Sequence, residues 1–92
     1  MKYRVDFASA AVERQLEKLL EPVDKEKRRE ILKKLEALGE NPRPHGVRKI
    51  KGTVHRIRCG PWRVVYHILE DEGKVVIAKV ARRTEGFYRQ FQ

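Results

Sequence analysis

Cysteine is almost missing from this chain. Cys59 stands alone among 92 residues, so no internal disulfide can form, which fits a reducing compartment. No apolar run is long enough to span a bilayer, and the opening MKYRVDFASA lacks the apolar stretch of a signal peptide. A cytoplasmic protein with no membrane partner is the expectation. Acidic residues are absent where basic ones crowd: between Asn41 and Leu69 there is no Asp or Glu. The chain has no glycine-rich phosphate loop and no G-x-S-x-G, and its basic half holds no carboxylate pair. A metal-dependent nuclease needs clustered carboxylates for its ions. His45, His55, Cys59 and His67 are the only soft ligands, and they lack the usual C-x2-C or H-x3-H pairing. No metal and no other cofactor is expected.

What the chain has is positive charge. Lys and Arg number 22 against 13 Asp and Glu, a net +9, and charged residues make up 38% of the whole. The excess is uneven. Residues 1–46 hold eleven basic and nine acidic side chains; residues 47–92 hold eleven and four. A one-sided basic surface is the electrostatic footprint of phosphate binding, although a Lys/Glu/Arg-rich solvated surface is the plainer alternative. Clustering of the arginines on strands favours the first.

The focus is Lys51 to Ile68, KGTVHRIRCGPWRVVYHI, which reads as two strands joined at Gly60-Pro61. A two-residue loop pairs Cys59 with Trp62, Arg58 with Arg63, Ile57 with Val64 and Arg56 with Val65. Side chains alternate along a strand. Ile57, Cys59, Trp62, Val64 and Tyr66 then form a core face, with Cys59 a small buried hydrophobe. Arg56, Arg58 and Arg63 take the other face, where directly opposed like charges are destabilising. With no carboxylate nearby in the sequence, that face is expected to stay open and to meet an anion from outside.

Around this hairpin the chain reads simply. Tyr3, Val5 and Phe7 alternate with Lys2, Arg4 and Asp6, a half-buried strand. Ser9 caps a helix whose Val12, Leu16, Leu19 and Leu20 share a face. Pro22 ends or restarts it, and a second helix runs to about Leu38 on a stripe of Ile31, Leu35 and Leu38, with Leu32 beside it. Its outer face is a charge run in which Glu30 and Lys34 pair at i, i+4, worth about 0.3–0.5 kcal/mol. Gly39 is placed to end the helix at positive φ. Residues 41–46 form a loop, and Val47–Ile50 can add a short strand. Glu70–Gly73 is a polar turn. Lys74–Ala81 is a strand inside the sheet, apolar on both faces except for Lys79. The whole is one domain, 1–92, of class α+β: compact, with two N-terminal helices packed on a mainly antiparallel twisted sheet, in the order β-α-α-β-β-β plus a short C-terminal tail or helix.

An arginine-rich sheet face beside aromatic residues suits RNA. Arginine's planar fork matches phosphate, and aromatic side chains stack on unpaired bases. RNA also carries its own nucleophile, the 2′-hydroxyl, so holding the strand in line and stabilising charge on the phosphorane can cleave it without metal. Tyr88 can stack on a base, hold a water, or simply pack the tail onto the core. His67 shares the arginine face by parity and belongs to the residue type that titrates near neutrality, or is an ordinary surface histidine.

From Lys49–Gly52 (KIKG) through HRIRCGPWRVVYHI to VARRTEGFYR at Val80–Arg89, and with Tyr3-Arg4-Val5 and the two-helix block before them, the chain resembles the RelE/ParE toxin superfamily, closest to its RelE side. The resemblance implies the toxin of a type II toxin–antitoxin pair. It implies an endoribonuclease that enters the ribosomal A site and cuts mRNA there without metal, leaving a cyclic phosphate and a 5′-hydroxyl. Its implied partners are the ribosome, mRNA and a small cognate RelB-like antitoxin that brings acidic residues to the arginine face or displaces the tail around Phe87–Phe91. By position, Arg58, Arg63, Arg83 and Tyr88 match the family's catalytic residues. The resemblance implies that Arg63 stabilises the phosphate and that Arg83, or its neighbour Arg82, is the general acid; Lys49, Lys51, Arg56, Lys79 and Arg82 are the expected RNA-binding residues. Two features depart from the family. Arg58 stands at a position proposed as general base in some members, and arginine is a poor proton acceptor, so charge stabilisation is its safer role. The base is then unassigned, with His67 a candidate. Arg82 and Arg83 compete for one position, with the gap to Tyr88 one residue longer than in many members. The ParE branch, which inhibits DNA gyrase, and a non-catalytic RNA-binding module are the alternative readings.

Overall fold

The computed structural model describes residues 3–82, ordered as β1 (Arg4–Phe7), α1 (Ala10–Leu20), α2 (Lys25–Glu36), β2 (Arg48–Lys51), β3 (Val54–Cys59), β4 (Trp62–Leu69) and β5 (Lys74–Arg82). Short 3-10 turns follow α2 at Ala37–Gly39 and β4 at Glu70–Glu72. The expected α+β class stands. The strand count is corrected upward: Arg48–Lys51 is a full member of a five-stranded sheet, order β1-β5-β4-β3-β2. It qualifies because it pairs antiparallel with β3. Only β1–β5 is parallel, and β5 is interior as its apolar run requires. The C-terminal tail or helix lies outside the described residues. Among those residues no helix is long and apolar enough to cross a membrane.

The helices begin where side chains satisfy free N–H groups. Ser9 Oγ accepts from Val12 N, and Asp24 Oδ1 accepts from Glu26 N and Lys27 N. Between them Arg28 Nη2 donates to Glu21 O and Val23 O, closing the C-terminal end of α1. Leu16, Leu20, Ile31, Leu35 and Leu38 bury against Ile57, Trp62, Val64 and Tyr66 from the hairpin. One sheet face is thus covered by both helices, and Leu32, off the stripe, stays 39% exposed. Gly39 does not end α2 at positive φ. It is buried at the end of the 3-10 turn, and its carbonyl accepts from Tyr3 N at 2.9 Å, tying the helix pair to the sheet's first edge.

The hairpin register is the expected one: Cys59↔Trp62, Arg58↔Arg63, Ile57↔Val64, Arg56↔Val65. Gly60 has φ +61 and leads into Pro61, whose φ is locked negative. Of the two tight hairpin turns, type II′ is the one that takes glycine first and a negative φ second. Cys59 is buried.

Two results follow for stability. A Cβ at Gly60 would meet no neighbour, so Gly60→Ala is penalised by backbone conformation alone. It should cost about 1–2 kcal/mol, read as a lowered urea midpoint with unchanged slope. His55 is 4% exposed, its Nδ1–H donates to Thr53 O at 2.7 Å, and its ring stacks on Tyr66. Burial lowers its pKa below the ordinary 6.5, so the unfolded chain binds more protons below that pH. Its contribution is complete above pH 6.5 and is lost as pH falls toward the folded value. Wild type should lose stability relative to His55→Phe between pH 7.5 and 5.5; parallel curves would refute the buried neutral imidazole.

Candidate nucleic-acid interface

The second face of the sheet is read off its rungs. Arg48 pairs with Arg56, Arg56 with Val65 and Val65 with Lys79, so one line crosses four strands. The next line is Arg58, Arg63 and Ala81. These lines sit directly behind the Gly60-Pro61 turn. Lys34, His45, Arg48, Arg56, Arg58 and Arg63 line one open groove of about 850 Å³, and among the described residues no carboxylate lines it.

Arg58 and Arg48 are exposed, and Arg56 is half-buried. Burial, and then the charges of Arg48 and Arg58, push the Arg56 pKa down. Both causes disfavour the charged form: a half-buried guanidinium loses hydration, and two like charges stand beside it. Two expectations need correction. The face is not open throughout: Arg63 is 5% exposed and Val65 0%, so it closes at the middle of β4. Nor are the arginines idle within the protein, since Arg56 and Arg63 both take part in internal interactions. The Arg58 guanidinium, exposed, has no hydrogen-bond or ion-pair partner among the described residues. Lys34 also departs from its expected pairing with Glu30. Its Nζ reaches across from α2 and donates to Arg58 O at 2.7 Å, bracing β3 under the groove.

Two β-bulges sort the lysines. In β2 the register shifts at Ile50, pairing Lys49 with His55 but Lys51 with Val54. Lys51 therefore lies on the arginine face, towards the far end of the sheet, and Lys49 lies on the opposite face, away from the groove. In β5 an extra residue at Ala78 turns Lys79 onto the arginine face, where strict alternation from Ile77 would have sent it to the core. The same shift pairs Arg82 with Trp62, on the core side of the sheet, with its guanidinium 5.1 Å over the indole. Arg82 meets Arg58 and Arg63 only around the hairpin tip, in a cleft they line with Pro61 and Trp62.

His67 shares the arginine face, but its Nδ1 is bonded to Thr53 Oγ1 at 2.8 Å. It stands four residues beyond Arg63, about 13 Å along β4 at strand rise. The structure does not bring it to the groove. Arg83 and Tyr88 lie outside the described residues. Sequence reasoning missed Lys34, His45 and Arg48. Arg48 was findable, since a strand folded back at Gly52 must oppose β3; Lys34 and His45 come from a helix and a loop, with no periodic signal to place them. Glu70, the first acid after the basic stretch, goes elsewhere: it bonds Tyr3 Oη and pairs with Arg43 at 2.7 Å, which hold its carboxyl below the usual range. Among the described residues no group of three or more His, Cys, Asp or Glu side chains can hold a metal ion.

The chain matches the sequence model of the ParE toxin of type II toxin–antitoxin systems over residues 7–87. A Methanocaldococcus jannaschii protein named as a RelE1 toxin is 38% identical over 60 residues, covering 60% of this chain and 66% of that protein, just under two thirds of its length. The RelE–RelB complex of Pyrococcus horikoshii OT3 superposes with TM-score 0.76 at 27% identity, covering 92% of this chain and 99% of that one. The isolated RelE toxin of E. coli gives TM-score 0.68 at 20% identity, covering 96% and 94%, a likeness of fold alone.

If the groove is the interface, single-stranded RNA affinity should fall with salt. Arg48→Ala and Arg58→Ala should each reduce the log–log salt slope by about 0.7, while Lys49→Ala leaves it unchanged. Anisotropy titrations across salt concentrations decide it; equal effects of all three would mean diffuse binding.

Proposed function

The chain belongs to the family of ParE toxins of type II toxin–antitoxin systems, within the RelE/ParE superfamily, and on that premise we propose that it is a metal-independent endoribonuclease acting on mRNA in the ribosomal A site. The observation that carries this reading is the groove: Arg48, Arg56, Arg58 and Arg63 on three paired strands, with no carboxylate among the described residues that line it. Such a surface repels bound metal and attracts a phosphodiester. The sheet sets where each arginine stands before substrate arrives, which gathers donors around a developing phosphorane. Arg63, nearly buried, holds a fixed guanidinium at the groove floor, and exposed Arg58 closes on the non-bridging oxygens. The RNA supplies the nucleophile, its own 2′-hydroxyl. Arg83 at the leaving oxygen and Tyr88 against a base complete the site as the resemblance assigns them.

The partner on this reading is a small RelB-like antitoxin, which neutralises the groove with acidic side chains when the ribosome is absent. The Pyrococcus horikoshii relative is a RelE–RelB complex, which supports it. Gyrase inhibition is the second reading, favoured by the ParE name of the matching family.

Primer extension on mRNA from a translation reaction tests the proposal. Wild type should cut within codons only when ribosomes are present. Arg58→Ala, exposed and so without risk to the fold, should slow cleavage about 10²–10³-fold with a much smaller loss of RNA affinity. Intact mRNA with growth still arrested would move the assignment to gyrase.

A further inference from the structure

The groove wall poses a question of proton transfer. Attack by a 2′-hydroxyl needs a group that accepts its proton. Guanidinium cannot do so near neutrality. Of the side chains lining the groove, four are arginines; Lys34 is already a donor, to the Arg58 carbonyl. Among the described residues that line the groove, His45 is the polar side chain that remains.

His45 is exposed and makes no hydrogen bond or ion pair among the described residues. Its backbone, by contrast, is well held. Val47 N donates to Pro44 O at 3.1 Å across the tetrapeptide Pro44-His45-Gly46-Val47, and Gly46 has φ +91. A bond from i to i+3 with positive φ at i+2 is the signature of a type II turn, and His45 occupies its i+1 corner. The turn is anchored from beneath, because Tyr66 Oη donates to Pro42 O at 2.7 Å inside the protein. Asn41 Oδ1 further caps Arg43 N at 3.1 Å. A free imidazole is thus carried on a fixed corner at the groove's edge. The charged groups lining that groove with it are Lys34 from α2, Arg48 from β2, Arg56 and Arg58 from β3, and Arg63 from β4.

We propose that His45 is the general base of the cleavage, an inference that rests on the nuclease reading above. Its neutral ring nitrogen takes the 2′-hydroxyl proton as the 2′ oxygen bonds to phosphorus. The P–O5′ bond breaks, and the 5′ oxygen leaves as a hydroxyl, taking its proton from water. The imidazolium returns its proton to solvent. The products are a 2′,3′-cyclic phosphate and a 5′-hydroxyl, with no atom added or lost.

The test is single-turnover cleavage of ribosome-bound mRNA from pH 5 to 8.5, by wild type, His45→Ala and His45→Gln, beside RNA affinity for each. Wild-type rate should rise with pH, as base catalysis requires. Both variants should be slowed about 10²–10⁴-fold, lose that rise, and bind RNA within twofold of wild type. Added imidazole should partly restore His45→Ala. Variants that cleave at the wild-type rate with the same pH profile overturn the proposal and leave the nuclease reading intact. Rate and affinity falling together make His45 an anchor and overturn it as a base. A wild type that never cleaves sinks both readings.

Discussion

The two-residue turn at Gly60-Pro61 is the constraint on which the rest depends. It fixes the register of β3 against β4, and a strand's period of two then decides both faces at once. Ile57, Cys59, Trp62, Val64 and Tyr66 go inward together because Arg56, Arg58 and Arg63 go outward together. Slippage by one residue would turn arginines onto the helix-covered face and the tryptophan away from it. The hydrophobic gain on one face therefore holds like charges together on the other. A folded protein tolerates such crowding when the core beneath is large enough, and here both helices bury their apolar stripes against that same face.

Charge segregation is the second consequence. The first acidic cluster after the basic stretch lies at the far end of β4, where Glu70 is taken by Tyr3 and Arg43. The groove receives none of it. The surface near Arg58 is basic through topology as well as composition, because neutralising groups sit a strand's length away. Lys34 adds to this from an unexpected direction. A lysine that would have been a solvated helix residue is bonded to the backbone beneath Arg58, linking the helical layer to the strand that carries the site.

Local pattern made most of the fold legible. The capped first helix, the stripe Ile31-Leu35-Leu38, the interior character of β5 and the hairpin pairing all follow from spacing and turn chemistry. Gly39 does not cap α2, because a 3-10 turn ends the helix without a left-handed residue. Much of the site was legible too, since Arg56, Arg58 and Arg63 share parity on a hairpin whose turn is unambiguous. His67 shared that parity but not the distance, which parity cannot express.

By itself the sequence determined the α+β class, the hairpin register and the sign of the charge on its outer face, because each depends on neighbours within a few residues. The tertiary structure alone decided which other cations join that face. The bulge at Ile50 parted Lys49 from Lys51, and the extra residue at Ala78 turned Lys79 outward and laid Arg82 over Trp62. A bulge answers to pairing with a neighbouring strand, so strict alternation along one chain cannot reveal it. Lys34 and His45 reach the groove from a helix and a turn distant in sequence. Only the packing of those elements on the sheet could bring them there.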